Sequence, residues 1–419
     1  MNMINKSLLR IILLIVVTLA AAWAIPALTK KAASSRQRYP FVNYSEIIEQ
    51  FCYRDVDGKN SVLSDASGKI YTDTEFDSIQ PMLYYRQLSA EGKMPDSIRG
   101  QEVTMPLIRQ KSFTYRYNPN ETSRPNLGLY ILYEVLPKRL NLESPHDVFR
   151  LKENIEFIDV ATNKVNREKS DLFTAELLKR GYSFPAQWTE GILTIRKPYD
   201  EGYFTLDAEG KLFHLKMVNG RPFVRDTGVG EQIDVAHFSM LSVADKRFYG
   251  FVYDTGGSAY ILEAPGYNLL KLDMPPLDMG RDNMMILANM FFWTVTVTSP
   301  EGRHTYALHN DNLERADETF TAADKDAWDS VSKWLFPAYL TVTDSASKYV
   351  KPRLHFTALN ALALNLLLAL VWLVIAGRRG KAYRTTTPGI IARASTAESL
   401  YILITGVAGL IALIIIPSR

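Results

Sequence analysis

A chain of 419 residues has room for two or three domains, and 47% of it is hydrophobic. Its 48 basic and 45 acidic side chains leave a net charge of +3, a balance that argues against nucleic acid as a partner. A single cysteine, Cys52, excludes an internal disulfide framework and reads as a small buried hydrophobe.

The first element is the apolar run Ile11–Leu28, preceded by Lys6 and Arg10. A bilayer core ~30 Å thick needs ~20 apolar residues in a helix, so this run reads as an uncleaved membrane anchor. The same residues, with Ala22-Trp23-Ala24 as a small-residue site, also fit a secretory signal. Either reading exports the long middle of the chain.

After a segment that reads as helical (FVNYSEIIEQF, 41–51), one pattern recurs: SVLSDASGKIYT (61–72), YFTLDAEGKLFHL (203–215), FVYDTGGSAYIL (251–262) and WTVTVTSPEGRHTYAL (293–308). Each alternates apolar residues around a turn of Asp or Ser-Pro with Gly, which is the pattern of a β-hairpin. Looser copies surround Asn118 and Asp159. The turns fall at Asp65, Asn118, Asp159, Asp207, Asp254 and Ser299, a period near 47 residues. A hairpin cannot bury its own apolar face, and four-stranded propeller blades repeat every ~40–50 residues. The expected fold class is therefore mainly β: a six-bladed, β-propeller-like extracytoplasmic domain with helical insertions, plus three transmembrane helices. An irregular β-rich domain with hairpins at chance spacing is the alternative. The insertions are SDLFTAELLKRGYSF (170–184), amphipathic and stopped by Gly181, and ADKDAWDSVSKWLFPAYL (323–340), which carries Trp328 and Trp334.

Two more apolar runs close the chain, Phe356–Gly377 and Leu400–Ile416. Between them lie Arg378, Arg379, Lys381, Arg384 and Arg393, with no acidic residue before Glu398. Short loops this basic stay in the cytoplasm, so these five residues set the topology and the large domain faces the periplasm. Lys30, Lys31, Arg36 and Arg38 weigh weakly against this direction. The expected domains are an anchor (1–30), a periplasmic domain (31–352) and a helical pair with its basic loop (353–419). Asn360 and Asn365 place amides inside an apolar helix, where they hydrogen-bond a neighbouring helix. Thr405, Gly406 and Gly409 give the last span a face that another helix can approach, either within this chain or on a partner.

The chain offers little chemistry. Its six histidines form no HExxH pair. There is no GxSxG elbow and no phosphate loop. No catalytic residue, metal ligand or cofactor site is expected.

The segments SDASGKIYTDTEFDSIQPMLYYRQL (64–88) and EGKMPDSIRGQEV (91–103) resemble an uncharacterised family of membrane-anchored proteins from Bacteroidota, a domain of unknown function. The resemblance covers most of the chain from about residue 40. It implies genes placed beside ABC transporter components and an inner-membrane setting. The expected function is a non-catalytic, multi-pass accessory protein of the inner membrane. Its partners would be the bilayer and an ABC transporter permease or other membrane subunit. A membrane-anchored periplasmic hydrolase and a ligand sensor acting through a membrane partner are the alternatives.

Overall fold

The computed structural model describes residues 6–34, 37–58, 60–123, 128–137, 142–197, 199–342, 347–350, 352–357, 360–382 and 388–417. Among them are the helices α1 (Lys6–Ala33), α2 (Asp73–Ile79), α3 (Pro81–Ala90), α4 (Met105–Lys111), α5 (Arg167–Lys179), α6 (Ala327–Leu335), α7 (Ala361–Ala382) and α8 (Pro388–Ile415). Two compact units form, Tyr39–Ala322 on the one hand and Met1–Arg38 with Ala323–Arg419 on the other.

The unit Tyr39–Ala322 is mainly β. Three of its hairpins are built on one device. Asp65, Asp207 and Asp254 each open a turn closed three residues later by a glycine at positive φ, Gly68 (+85°), Gly210 (+83°) and Gly257 (+87°). In each turn the glycine N–H donates to the aspartate carbonyl, at 3.0, 3.2 and 3.0 Å. The aspartate Oδ1 accepts the N–H of the residue four positions on, Lys69, Lys211 or Ser258, at 3.1, 2.8 and 2.8 Å. A residue with a Cβ pays a steric penalty at positive φ, and a carboxylate satisfies donors that a tight turn leaves unpaired.

Five antiparallel sheets of three or more strands form, and these turns join strands of the third and fourth and follow the last strand of the first. The first joins Phe41–Tyr44, Phe51–Asp57 and Asn60–Asp65, and the second Asp147–Leu151, Ile155–Asp159 and Lys164–Asn166. The third runs Trp188–Gly191, Tyr203–Leu206, Leu212–Val218 and Arg221–Asp226. The fourth runs Val235–Met240, Phe248–Asp254, Ala259–Glu263 and Leu269–Lys271. The fifth holds Asn283–Ala288, Phe292–Ser299, Gly302–His309 and Arg315–Ala322, with Phe113–Tyr117 added beside Asn283–Ala288. Buried clusters link the second sheet to the third (Phe149, Tyr203, Phe213), the third to the fourth (Phe204, Phe238, Leu262), the fourth to the fifth (Phe251, Ile286, Trp293) and the fifth to the first (Phe292, Val42, Phe51). Burying each such large side chain stabilises by about 1.5–3 kcal/mol.

This arrangement corrects the six-bladed expectation. The segment around Asn118 is not a hairpin: Phe113–Tyr117 leaves its neighbourhood in sequence to complete the fifth sheet, and Pro119–Glu121 forms a short 3₁₀ turn. Among the described residues there are five such sheets and no closed ring of blades. The helix expected at 41–51 is also replaced. Val42 and Tyr44 are buried while Phe41–Tyr44 pairs with Phe51–Arg54, and Ser45 Oγ accepts the N–H groups of Ile47 and Ile48 at 3.1 Å to turn the chain. The insertion expected at 170–184 is α5, capped by Asn166.

In the other unit, α1 and α8 run in the same direction and α7 runs against them. The pairing of Arg10 with Glu398 and Thr18 with Tyr401, against Asn365 with Leu403 and Trp372 with Glu398, fixes these directions. The start of α1 and the α7–α8 connection therefore lie at one end. Among the described residues, two helices are long and apolar enough to cross a membrane, Leu8–Ala33 (26 residues) and Thr396–Ile415 (20 residues). The third expected span, Phe356–Gly377, is shorter than its sequence suggested. Phe356 ends the strand Arg353–Phe356, which pairs with Ala338–Thr341, so the helical part of this run starts only at Ala361.

Asp207 also accepts Ser183 N–H (3.0 Å) and Glu209 N–H (2.9 Å) while fully buried. Asp207→Ala is expected to destabilise the β-rich unit by about 2–3 kcal/mol. The measurement is the urea midpoint, with Asp207→Asn, which keeps one acceptor oxygen, falling in between.

Candidate functional site

The turn from Ala288 to Phe292 separates two clefts in the β-rich unit. Asn289 makes the turn rigid: its Oδ1 accepts the N–H groups of Phe291 (2.8 Å) and Phe292 (2.9 Å). On one side lies a cleft of about 230 Å³ whose walls include Asn43, Met82, Tyr85, Ser112 and Asn289. Behind Asn43 sits a buried polar cluster. Asn43 Nδ2 donates to Gln80 Oε1 (3.1 Å), Thr294 Oγ1 donates to Asn43 Oδ1 (3.2 Å), and Tyr44 N–H donates to Thr294 Oγ1 (3.1 Å). Glu46 belongs to the same cluster, its Oε1 accepting Met82 N–H at 2.6 Å. Glu46 Oε2, Gln80 Nε2 and Ser112 Oγ are buried without a hydrogen-bond partner. Burial pushes the Glu46 carboxyl up to about 7, against which the Met82 N–H pulls only weakly.

The second cleft, about 360 Å³, is walled by Arg99, Lys111, Phe292, His309, Asn310 and Asp311, among others. Its cations are already engaged. Arg99 pairs with Glu49 (3.2 Å) and lies 5.1 Å from the Phe292 ring centroid, and Lys111 pairs with Asp245 (3.2 Å). Arg247 supports the wall from behind. Its Nη1 donates to the Asn310 carbonyl (2.7 Å), its guanidinium lies over Trp293, and Trp293 Nε1 donates to Asn310 Oδ1 (3.0 Å). Amides, aromatic faces and paired cations suit binding. Ser112 and His309 stand in different clefts, and Ser112 Oγ bonds to no base.

The remaining buried titratable groups have structural partners. His214 is enclosed, with Nδ1 bonded to Tyr267 OH (2.8 Å), Nε2 to the Glu201 carbonyl, and its ring stacked on Phe204. Burial depresses it to about 3, so it is neutral. Lys197 and Asp200 form a buried ion pair, with burial raising the Asp200 carboxyl and the Lys197 ammonium 4.8 Å from the Tyr133 ring centroid. Burial pushes the Cys52 thiol up to about 12, so it stays protonated. Among the described residues no group of three or more His, Cys, Asp or Glu is placed to hold a metal ion.

The helix-packing residues are partly brought together. Asn365 is fully buried, and its Nδ2 donates to the Leu403 carbonyl at 3.0 Å. That carbonyl is freed by Gly406, whose φ of +63° and ψ of −139° interrupt α8. A Cβ at Gly406 would lie 2.6 Å from Asn365 Oδ1. Thr405 Oγ1 donates to the Tyr401 carbonyl at 2.5 Å, and Gly409 faces Thr405 and Tyr401 of its own helix. Asn360 is exposed just before α7. Arg378, Arg379, Lys381 and Arg393 have helical backbones, with side chains outside the described residues, and Arg384 lies wholly outside them. Sequence reasoning missed a polar contact that joins all three long helices of this unit. Arg10 Nη2 donates to Glu398 Oε1 (3.0 Å) and Trp372 Nε1 donates to Glu398 Oε2 (3.1 Å), which ties α1, α7 and α8 together. A lone arginine in the first apolar helix and a lone acid at the edge of the last were the available signal.

A family described as Domain of unknown function (DUF4857) matches residues 41–308. No relative with a curated description matches. Solved structures similar to this chain include PorZ, described as an essential bacterial surface component of the type-IX secretion system of Porphyromonas gingivalis, at 10% identity and a TM-score of 0.21. That match covers 68% of this chain but only 32% of PorZ. The Cps50 (Swd1) β-propeller domain of Myceliophteria thermophila matches at 8% identity and a TM-score of 0.22, covering 70% of this chain and 90% of that one. The dihydro-heme d1 dehydrogenase NirN matches at 13% and 0.20, covering 60% and 65%. Identities and scores this low establish neither a shared fold nor a shared activity.

In the unfolded chain Glu46 ionises near 4.5 and in the folded chain near 7, so between these values the unfolded state holds fewer protons. Stability from this group is therefore full below about pH 4.5 and falls as pH rises to about 7. Glu46→Gln is expected to remove that fall and to be more stable than the parent above pH 7, by up to about 3 kcal/mol, as read from melting temperature against pH. Gly406→Ala, at a backbone conformation costing other residues about 1–3 kcal/mol, is expected to lower the melting temperature of the detergent-solubilised chain.

Proposed function

We propose that this chain, which belongs to the DUF4857 family, is a non-catalytic binding protein integral to the inner membrane, its β-rich unit on the periplasmic side. The helical unit crosses the bilayer three times and docks another membrane subunit, of which an ABC-type permease is the form the family resemblance implies. The β-rich unit is a propeller-like arc of five meander sheets, with the two clefts beside Ala288–Phe292 as its binding surface.

The observation that carries this reading is the composition of those clefts. Their walls offer amides, aromatic rings and cations held by Glu49 and Asp245, and among the described residues that line them no hydroxyl or thiol is paired to a base. Such walls orient a ligand and do not activate a nucleophile. The anchoring is supported by two helices of spanning length and by the Arg10–Glu398–Trp372 contact. Charged groups inside apolar helices are retained where they pair with one another. The direction is supported by the common end shared by the start of α1 and the basic α7–α8 connection. A periplasmic hydrolase is the second reading, favoured only by Glu46, a carboxyl near neutrality beside a cleft.

Affinity purification of the tagged full chain in a mild detergent tests the docking. A stoichiometric membrane partner is the expected result. Recovery of a lone monomer across several detergents overturns it.

A further inference from the structure

We infer that the hairpin Ala338–Thr341/Arg353–Phe356, with Trp334 of α6, is a lipid-binding platform that lies in the outer headgroup and acyl boundary of the bilayer. This rests on the reading of the helical unit as membrane-embedded. The hairpin is two-faced by register. Tyr339 stands opposite His355, and Thr341 opposite Arg353; Ala338 stands opposite Phe356, and Leu340 opposite Leu354. Residues paired across a ladder share a face, so one face is polar and aromatic and the other wholly apolar. The first face is used inside the unit. Tyr339 stacks on His355 and meets the buried Trp328 edge-on at 5.6 Å, while Thr341 Oγ1 bonds to His355 Nε2 at 2.8 Å. On the second face Phe356 is 78% exposed and Leu354 55%, whereas Ala338 and Leu340 are half-buried, Ala338 against α1; Trp334 of α6 is 58% exposed.

Three arguments choose lipid as the occupant. The platform is continuous with the lipid-facing helices, because α7 starts at Ala361, just after Phe356, and exposes Leu362, Leu366, Leu367 and Leu370. The apolar stretch of α7, from Ala361 to Gly377, is about 25 Å long, roughly 5 Å short of a bilayer core. The outward Leu354 and Phe356, just before α7 in the chain, add apolar surface at that end. The composition also fits the boundary, where a tryptophan and basic side chains collect. Lys333 on α6 and Lys30 and Lys31 at the end of α1, which packs beside α6 and the hairpin, are exposed where phosphates would lie.

Site-directed spin labelling of the full chain in lipid nanodiscs tests this. Cys52 is buried with its thiol protonated, so a cysteine introduced elsewhere is labelled selectively. Labels go on Leu354→Cys and Phe356→Cys, with Leu366→Cys as the lipid reference and Val160→Cys, exposed on the β-rich unit, as the water reference. Collision with oxygen is expected to exceed collision with a water-soluble nickel chelate at 354 and 356 severalfold more than at 160, approaching the ratio at 366. Water-like ratios at 354 and 356 with a lipid-like 366 overturn the platform and leave the membrane reading standing. Shielding from both reagents shows a protein partner on this face and likewise overturns it. A water-like ratio at 366 overturns both.

Discussion

The β-rich unit depends on a carboxylate that takes the place of water at a tight turn. In the turns at Asp65, Asp207 and Asp254 one aspartate oxygen holds the N–H four residues on, and a glycine at positive φ lets the chain reverse. These contacts set strand register. A slip by one residue would send every apolar side chain of a hairpin to the wrong face. Because Phe213 and Leu215 on one strand, and Phe251 and Tyr253 on another, face the core only in this register, the packing of neighbouring sheets is a consequence of the turns.

Much of this was legible in the sequence because it is local. The Asp-x-x-Gly spacing, the alternation flanking it and the Gly181 stop after α5 act within a few residues of themselves. What was not legible is non-local or balanced. Phe113–Tyr117 alternates like any strand, and nothing beside it reveals that its partner is Asn283–Ala288. FVNYSEIIEQF has helical spacing through Ile47 and Ile48, yet pairing of Val42 and Tyr44 with the next strand outweighs that propensity. Phe356 extends an apolar run in the sequence but is held in a ladder by Ala338. The clefts are assembled from segments far apart in the chain, so neither Glu46 nor Arg247 carried any local sign of its role.

The helical unit shows a comparable division. Its long apolar faces announce themselves, whereas its specificity rests on a few polar atoms. Glu398 receives a hydrogen bond from each of the other two helices, and Asn365 covers the carbonyl that the Gly406 interruption leaves open. In an apolar surrounding, packing alone discriminates poorly between helix registers, and such contacts choose one.

The place of Phe113–Tyr117 in the fifth sheet also orders events in time. A chain that emerges from its N-terminus releases this strand long before Asn283–Ala288 exists to pair with it. Until then its backbone donors and acceptors have no ladder, and the sheets formed in between must assemble without it. Closing so wide a loop is slow, and an unpaired strand in the interval invites mispairing with other chains. The unit is thus stapled through its own last-made sheet, and a chain cut short before Asn283 would leave the strand exposed to association and to proteolysis.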